Sequence, residues 1–175
     1  GIEFASESAL AEVPVAADGP YPLVIYSHGS GGLRYVASFF TELLASHGFV
    51  VASVDHVGNT AVELVAGGDV DRDQIAYDRV LDVEFLIDQM LAASSAGEGL
   101  LSGSVDPERI GVSGHSFGGF TAFAAVGGYT NDLGTVPGDD RIDAVVAMAP
   151  ASELNSTDEL EAVDVPTLLV SGTRD

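Results

Sequence analysis

The chain has 175 residues, 46% of them hydrophobic, enough to bury one core, and it reads as a single domain over residues 1–175. Its 27 acidic residues stand against six basic ones, all arginine, and the formal charge of −21 excludes nucleic acid and phosphate-rich partners. Without cysteine there are no disulfides, thiolate zinc sites or cysteine nucleophiles, and no apolar run reaches membrane-spanning length. A lysine-free, carboxylate-rich surface repels itself unless counterions screen it, which favours adaptation to high salt over ordinary solubility. Gly1-Ile-Glu-Phe4 carries no signal-peptide pattern, and the expectation is a soluble protein, secreted or cytoplasmic.

Strand-like and helix-like segments alternate, which predicts an α/β fold: a mostly parallel sheet with helices on both faces. Ala9–Val15 alternates as a strand does, and Ala17-Asp-Gly-Pro20 is turn chemistry. Leu23–Ser27 reads as a buried strand. Tyr35–His47 has apolar residues at helical spacing and Gly48 as its stop. Phe49–Val54 is the next strand, followed by a loop, Asp55-His-Val-Gly-Asn-Thr60. Asp71 to about Ala93 is the longest helix, its apolar stripe made by Ile75, Val80, Val83, Leu86, Ile87, Met90 and Leu91. Ser94–Gly103 is a loop, and Val105–Arg109 leads into a strand ending at Ser113. A helix runs from Phe117 to about Val126, and Tyr129–Arg141 reads as an exposed excursion. Ile142–Met148 is a strand, Asp158–Ala162 a helical turn and Thr167–Ser171 the last strand.

Gly114-His-Ser-Phe-Gly118, between the strand and the helix, has the pattern of a nucleophile elbow. Such a turn lifts the Ser116 hydroxyl clear at the C-terminal edge of a parallel sheet. Upstream, Ser27-His-Gly-Ser-Gly-Gly32 follows another strand. A glycine loop there supplies one backbone N–H of an oxyanion hole, and the residue after the nucleophile supplies the other. The expected donors are the amides of Ser30 and Phe117.

These two loops, the Asp55-His56…Gly58-Asn59 loop and Val165-Pro-Thr-Leu-Leu-Val-Ser-Gly-Thr-Arg-Asp175 together resemble serine α/β-hydrolases. The similarity is to the dienelactone-hydrolase-like or platelet-activating-factor-acetylhydrolase-like group. It implies an α/β-hydrolase fold, a Ser–acid–His triad and ester hydrolysis. True dienelactone hydrolases use a cysteine where this chain has Ser116, so the dienelactone substrate is not carried over.

In this fold the triad runs serine, acid, histidine along the chain. Asp175 stands where the acid is expected, with Glu153 as runner-up, but no histidine follows. His28 and His115 read as braces of the glycine loops, and His47 as a donor to the last carbonyls of its helix. His56 would be out of order as a base; it and Tyr35 are candidates for shaping the pocket. The chain is therefore expected to lack its last helix and strand, with a C-terminal polypeptide supplying the catalytic histidine. Asp69-Val-Asp-Arg-Asp73 imitates the start of a calcium loop. It has Gln74 at the glycine position and Val80 at the glutamate position, so it reads as an acidic helix start. No metal or organic cofactor is expected.

The function expected is a serine carboxylic-ester hydrolase working through an acyl-enzyme on short to medium acyl esters. The alternatives are a polyester- or cutin-type hydrolase, an amidase, or an inactive fragment that only binds.

Overall fold

A computed structural model describes Ser6 and residues 9–67 and 71–173. The central sheet has five parallel strands: β1 (Tyr21–Ser27), β2 (Val50–Ser53), β3 (Val105–His115), β6 (Ala144–Met148) and β7 (Thr167–Val170). Their spatial order is β2-β1-β3-β6-β7. Between them run α1 (Ser38–Ser46), α2 (Ala61–Ala66), α3 (Arg72–Ser95), α4 (Phe117–Gly127) and α5 (Thr157–Glu161). A separate hairpin is made by β4 (Tyr129–Asn131) and β5 (Gly134–Val136). This is the α/β-hydrolase arrangement.

Alternation along β1 shows how the sheet is covered. Leu23 and Ile25 enter a cluster with Val83 and Ile87 of α3 and Phe123 of α4, completed by Ile110, Val112 and Val145. Tyr26, one residue on, turns to the other face and meets Phe40 of α1 at 6.0 Å between ring centroids. Helices therefore lie on both faces, as the strand–helix alternation implies.

The boundaries differ in ways the chemistry explains. Ala9–Val15 forms no strand: Ala11–Glu12 is a turn with Glu12 at φ 55°, and Leu10 and Val13 are exposed. Alternation alone supplied the expectation, and no neighbouring strand satisfies that backbone. Helix α1 begins three residues later than Tyr35, because Arg34–Ala37 is a turn fixed where the Arg34 N–H donates to Asp55 Oδ1 at 2.6 Å. Helix α2 is additional. Its signal is the capping box Thr60-x-x-Glu63, in which Thr60 Oγ1 accepts from the Val62 N–H and Glu63 accepts from the Thr60 N–H. Tyr129–Arg141 is not wholly exposed, for Tyr129 and Val136 of the hairpin are buried against Phe120 and Ile75.

The acidic helix start holds where it can be seen. Asp71 caps α3, its Oδ1 accepting from the N–H groups of Asp73 and Gln74 at 3.1 Å. Asp69 of the calcium-like stretch lies outside the described residues. Among the described residues β7 is an outer strand of the sheet, on which Leu168, Leu169 and Val170 are all about half exposed.

Candidate active site

Strand β3 delivers Ser116 into the turn before α4 with φ 54° and ψ −117°, a left-handed backbone at a residue that carries a Cβ. Such a conformation costs about 1–3 kcal/mol and persists only where its surroundings hold it. Here the Ser116 N–H donates to the Met148 carbonyl at 2.9 Å. Its own carbonyl accepts from Gly119, Phe120 and Ala151 at 2.9, 3.2 and 3.1 Å. Two glycines make the turn sterically feasible. A Cβ on Gly114 would overlap the Gly118 carbonyl, and one on Gly118 would overlap the carbonyl of Ser27 on β1.

The Gly29–Gly32 loop passes directly over this turn. A Cβ placed on Gly29 would stand 3.4 Å from the Ser116 Cβ and 3.2 Å from the His115 carbonyl. Ser30 is exposed on the loop, and Phe117 opens α4. Neither the Ser30 nor the Phe117 backbone N–H has a hydrogen-bond acceptor among the described residues. Ser30, Ser116 and Phe117 line one cavity.

Ser116 stands where two cavities meet. One, of about 340 Å³, is walled by Ser30, Leu64, Ile75, Phe117 and Tyr129, with Arg72, Asp73 and Glu153 among its polar lining. The other, about 670 Å³ and more open, runs past His115, Phe123, Pro150, Leu160 and Leu169. Glu153 borders both cavities but is exposed. Asp175, expected as the triad acid, lies outside the described residues.

His56 and Tyr35 line neither cavity. Tyr35 sits in the turn before α1. His56 is 1% exposed, and both its ring nitrogens are engaged: Nδ1 with Asp82 Oδ2 at 2.7 Å, Nε2 with Ser27 Oγ at 2.9 Å. Burial pushes its pKa down to about 4, against the raising effect of the Asp82 hydrogen bond; Arg79 and His28 add to the lowering. The ring is neutral at pH 7 and is no base for Ser116. Ser27–His56–Asp82 mimics a catalytic relay, yet Ser27 is fully buried and no substrate reaches it.

His28 and His47 act as the sequence suggests, whereas His115 is exposed and lines the larger cavity. His28 Nδ1 donates to the Gly29 carbonyl at 2.7 Å and its Nε2 accepts from the His56 N–H at 3.1 Å, bracing the loop. Burial lowers its pKa as well. His47 Nδ1 donates to the Leu43 carbonyl at 2.9 Å at the end of α1.

What sequence reasoning missed is Arg79. It is fully buried at the centre of α3's inner face, and its guanidinium donates only to neutral oxygens. A signal was present: Ile75, Arg79, Val83 and Ile87 are four apart, so the arginine occupies a position of the apolar stripe.

Fold and elbow together define an α/β-hydrolase. Comparison with known proteins gives the group. The model of the family described as platelet-activating factor acetylhydrolase, isoform II, matches residues 5–76. Platelet-activating factor acetylhydrolase of the dog, Canis lupus familiaris, is 28% identical over 74% of this chain and 38% of its own length. That of the guinea pig, Cavia porcellus, is 27% identical over 78% of the chain and 36% of its own. Among solved structures, a ferulic acid esterase from Streptomyces cinnamoneus superposes with a TM-score of 0.63 and 28% identity. It covers 87% of this chain and 43% of the esterase. The resemblance to the platelet-activating-factor-acetylhydrolase-like and dienelactone-hydrolase-like serine hydrolases is borne out. The chain spans well under half the length of the curated relatives it matches. No helix among the described residues is long and apolar enough to cross a membrane.

Proposed function

We propose that this chain carries the nucleophile of a serine carboxylic-ester hydrolase that acts through an acyl-enzyme on short to medium acyl esters. The observation that carries the reading is the left-handed Ser116 at the junction of two cavities, one of which it shares with Ser30 and Phe117. The Ser116 Oγ attacks the ester carbonyl carbon as a histidine takes its proton. The carbonyl oxygen becomes an alkoxide held by the N–H groups of Ser30 and Phe117. The histidine then protonates the departing alcohol, and water resolves the acyl-serine by the same steps. An acid orients that histidine, and Asp175 is the candidate for that role.

The relatives' names fit such an enzyme, one naming an acetyl ester and the other a ferulic acid ester. The apolar wall of Leu64, Ile75, Phe117 and Tyr129 suits a compact acyl group, and the open groove suits the alcohol. That openness also favours a second reading, a polyester- or cutin-type hydrolase that takes a polymer end.

Turnover of p-nitrophenyl esters of increasing chain length by the full chain, beside release of product from polyester film, separates the two. Ser116→Ala should lower turnover by about 10⁴-fold or more and abolish fluorophosphonate labelling while leaving the melting curve unchanged. Labelling at another residue, or activity kept in the alanine variant, refutes the proposal.

A further inference from the structure

We propose that Arg79 is a positioning residue that aligns both oxyanion donors, Ser30 through Asn59 and Phe117 through Thr121 and its own ring. This rests on the ester-hydrolase reading above. The guanidinium Nη1 donates to Asn59 Oδ1 at 2.6 Å, Nε to Thr121 Oγ1 at 3.0 Å, and Nη2 to Ser27 Oγ at 3.1 Å and to the His28 carbonyl. Each acceptor leads onward to a donor loop. Asn59 Nδ2 donates to Ser30 Oγ at 3.1 Å, and the Asn59 carbonyl accepts from the Gly31 N–H at 3.1 Å. Thr121 Oγ1 donates to the Phe117 carbonyl at 2.9 Å. The guanidinium carbon itself lies 4.6 Å from the centroid of the Phe117 ring. Ser27 and His28 form the stem of the glycine loop.

A cation buried without a carboxylate in contact is expensive, and an apolar side chain would fill the stripe position of α3 at lower cost. The acceptors explain why an arginine stands there. A glycine-rich loop has little side-chain packing of its own, and an oxyanion hole works only if its donors are fixed before charge develops. The planar fork reaches four oxygens from one rigid group, which no lysine geometry duplicates. Burial lowers the Arg79 pKa only to about 9, so the group is charged at neutral pH. Its charge, which no contacting carboxylate neutralises, also favours negative charge on the loop above.

The test compares Arg79→Met and Arg79→Lys in the full chain, with p-nitrophenyl acetate and butyrate as substrates. The Met variant should lose about 100-fold in kcat with KM changed less than about threefold. The Lys variant should recover part of the loss. Hydrogen exchange should quicken at residues 28–32 and at Phe117, while β1 and β3 keep their protection. Folded variants with wild-type kcat, or with KM raised and kcat intact, overturn the proposal. If Arg79→Met fails to fold, Asn59→Ala cuts the link to Ser30 with Arg79 in place; a loss of about tenfold in kcat supports the proposal and no loss overturns it. A wild-type full-length protein inert toward every ester refutes the ester-hydrolase reading instead. Exchange at residues 28–32 in the variants then decides the role of Arg79.

Discussion

Acidification to pH 5 should weaken this protein through His56. The imidazole is held at a pKa of about 4 by burial, against about 6.5 for the same group in an unfolded chain. Between those values the unfolded chain binds a proton that the folded one refuses, so stability falls as pH falls. The contribution is complete above pH 6.5, declines steadily to about pH 4 and is constant below. A gap of about 2.5 in pKa, at about 1.4 kcal/mol each, amounts to roughly 3 kcal/mol, a large share of an ordinary domain's stability. His28, whose pKa is also lowered chiefly by burial, acts in the same direction. Arg79 and Asp82, the other charged groups against His56, do not change this sign. Asp106, Glu63 and Asp139 have lowered pKa values, and their contributions begin to be lost only as pH falls below the ordinary values of 3.8 for Asp and 4.5 for Glu. The assay is urea unfolding at fixed ionic strength from pH 7.5 to 4.5, on the wild type and on His56→Gln. The variant should be less stable at pH 7.5 but show a flatter dependence. A wild-type curve level from pH 7 to 5, or an equal slope in the variant, refutes the reasoning.

Gly118→Ala should cost about 1–3 kcal/mol or more, because its Cβ would overlap the Ser27 carbonyl; an unchanged urea midpoint contradicts the close approach of α4 and β1. With a formal charge of −21 and no lysine, stability should rise between dilute buffer and molar NaCl, as the Debye length shrinks from about 30 Å to about 3 Å. A melting temperature that stays flat or falls over that range removes self-repulsion as a governing term and leaves the acidic surface as ordinary solubility.

The sheet and the elbow were readable because each leaves a local pattern. Four of the five sheet strands are short apolar runs between turn residues, and the elbow needs glycine at Gly114 and Gly118 for steric reasons visible in any such turn. Ala9–Val15 shows where pattern fails: alternation records a two-faced segment but not a neighbour to pair with. The hairpin at Tyr129–Val136 failed in the other direction. Its many turn residues hid two side chains that pack on Phe120 and Ile75, a contact decided by α3, which lies far away in sequence. His56 was drawn toward the site by its place after β2, yet its surroundings come from β1 and α3. Only the assembled fold shows that Asp82 and Ser27 already occupy its two nitrogens.

Arg79 and His56 share one logic of hydrogen-bond polarity. A carboxylate only accepts, so Asp82 requires the His56 proton on Nδ1 and leaves Nε2 an acceptor. Ser27 must then donate to Nε2, which turns its remaining lone pairs toward Arg79 Nη2. Asp82, side chain about a third exposed on α3, thereby sets through two neutral groups how a buried cation is met beneath the glycine loop. Protonation of His56 reverses the chain: Nε2 becomes a donor, and Ser27 Oγ faces two donors with its own proton left to find a new acceptor. Acid therefore strikes the stem of the loop that carries Ser30, and loss of stability and loss of the alignment proposed for the Ser30 donor arise at the same pair of residues.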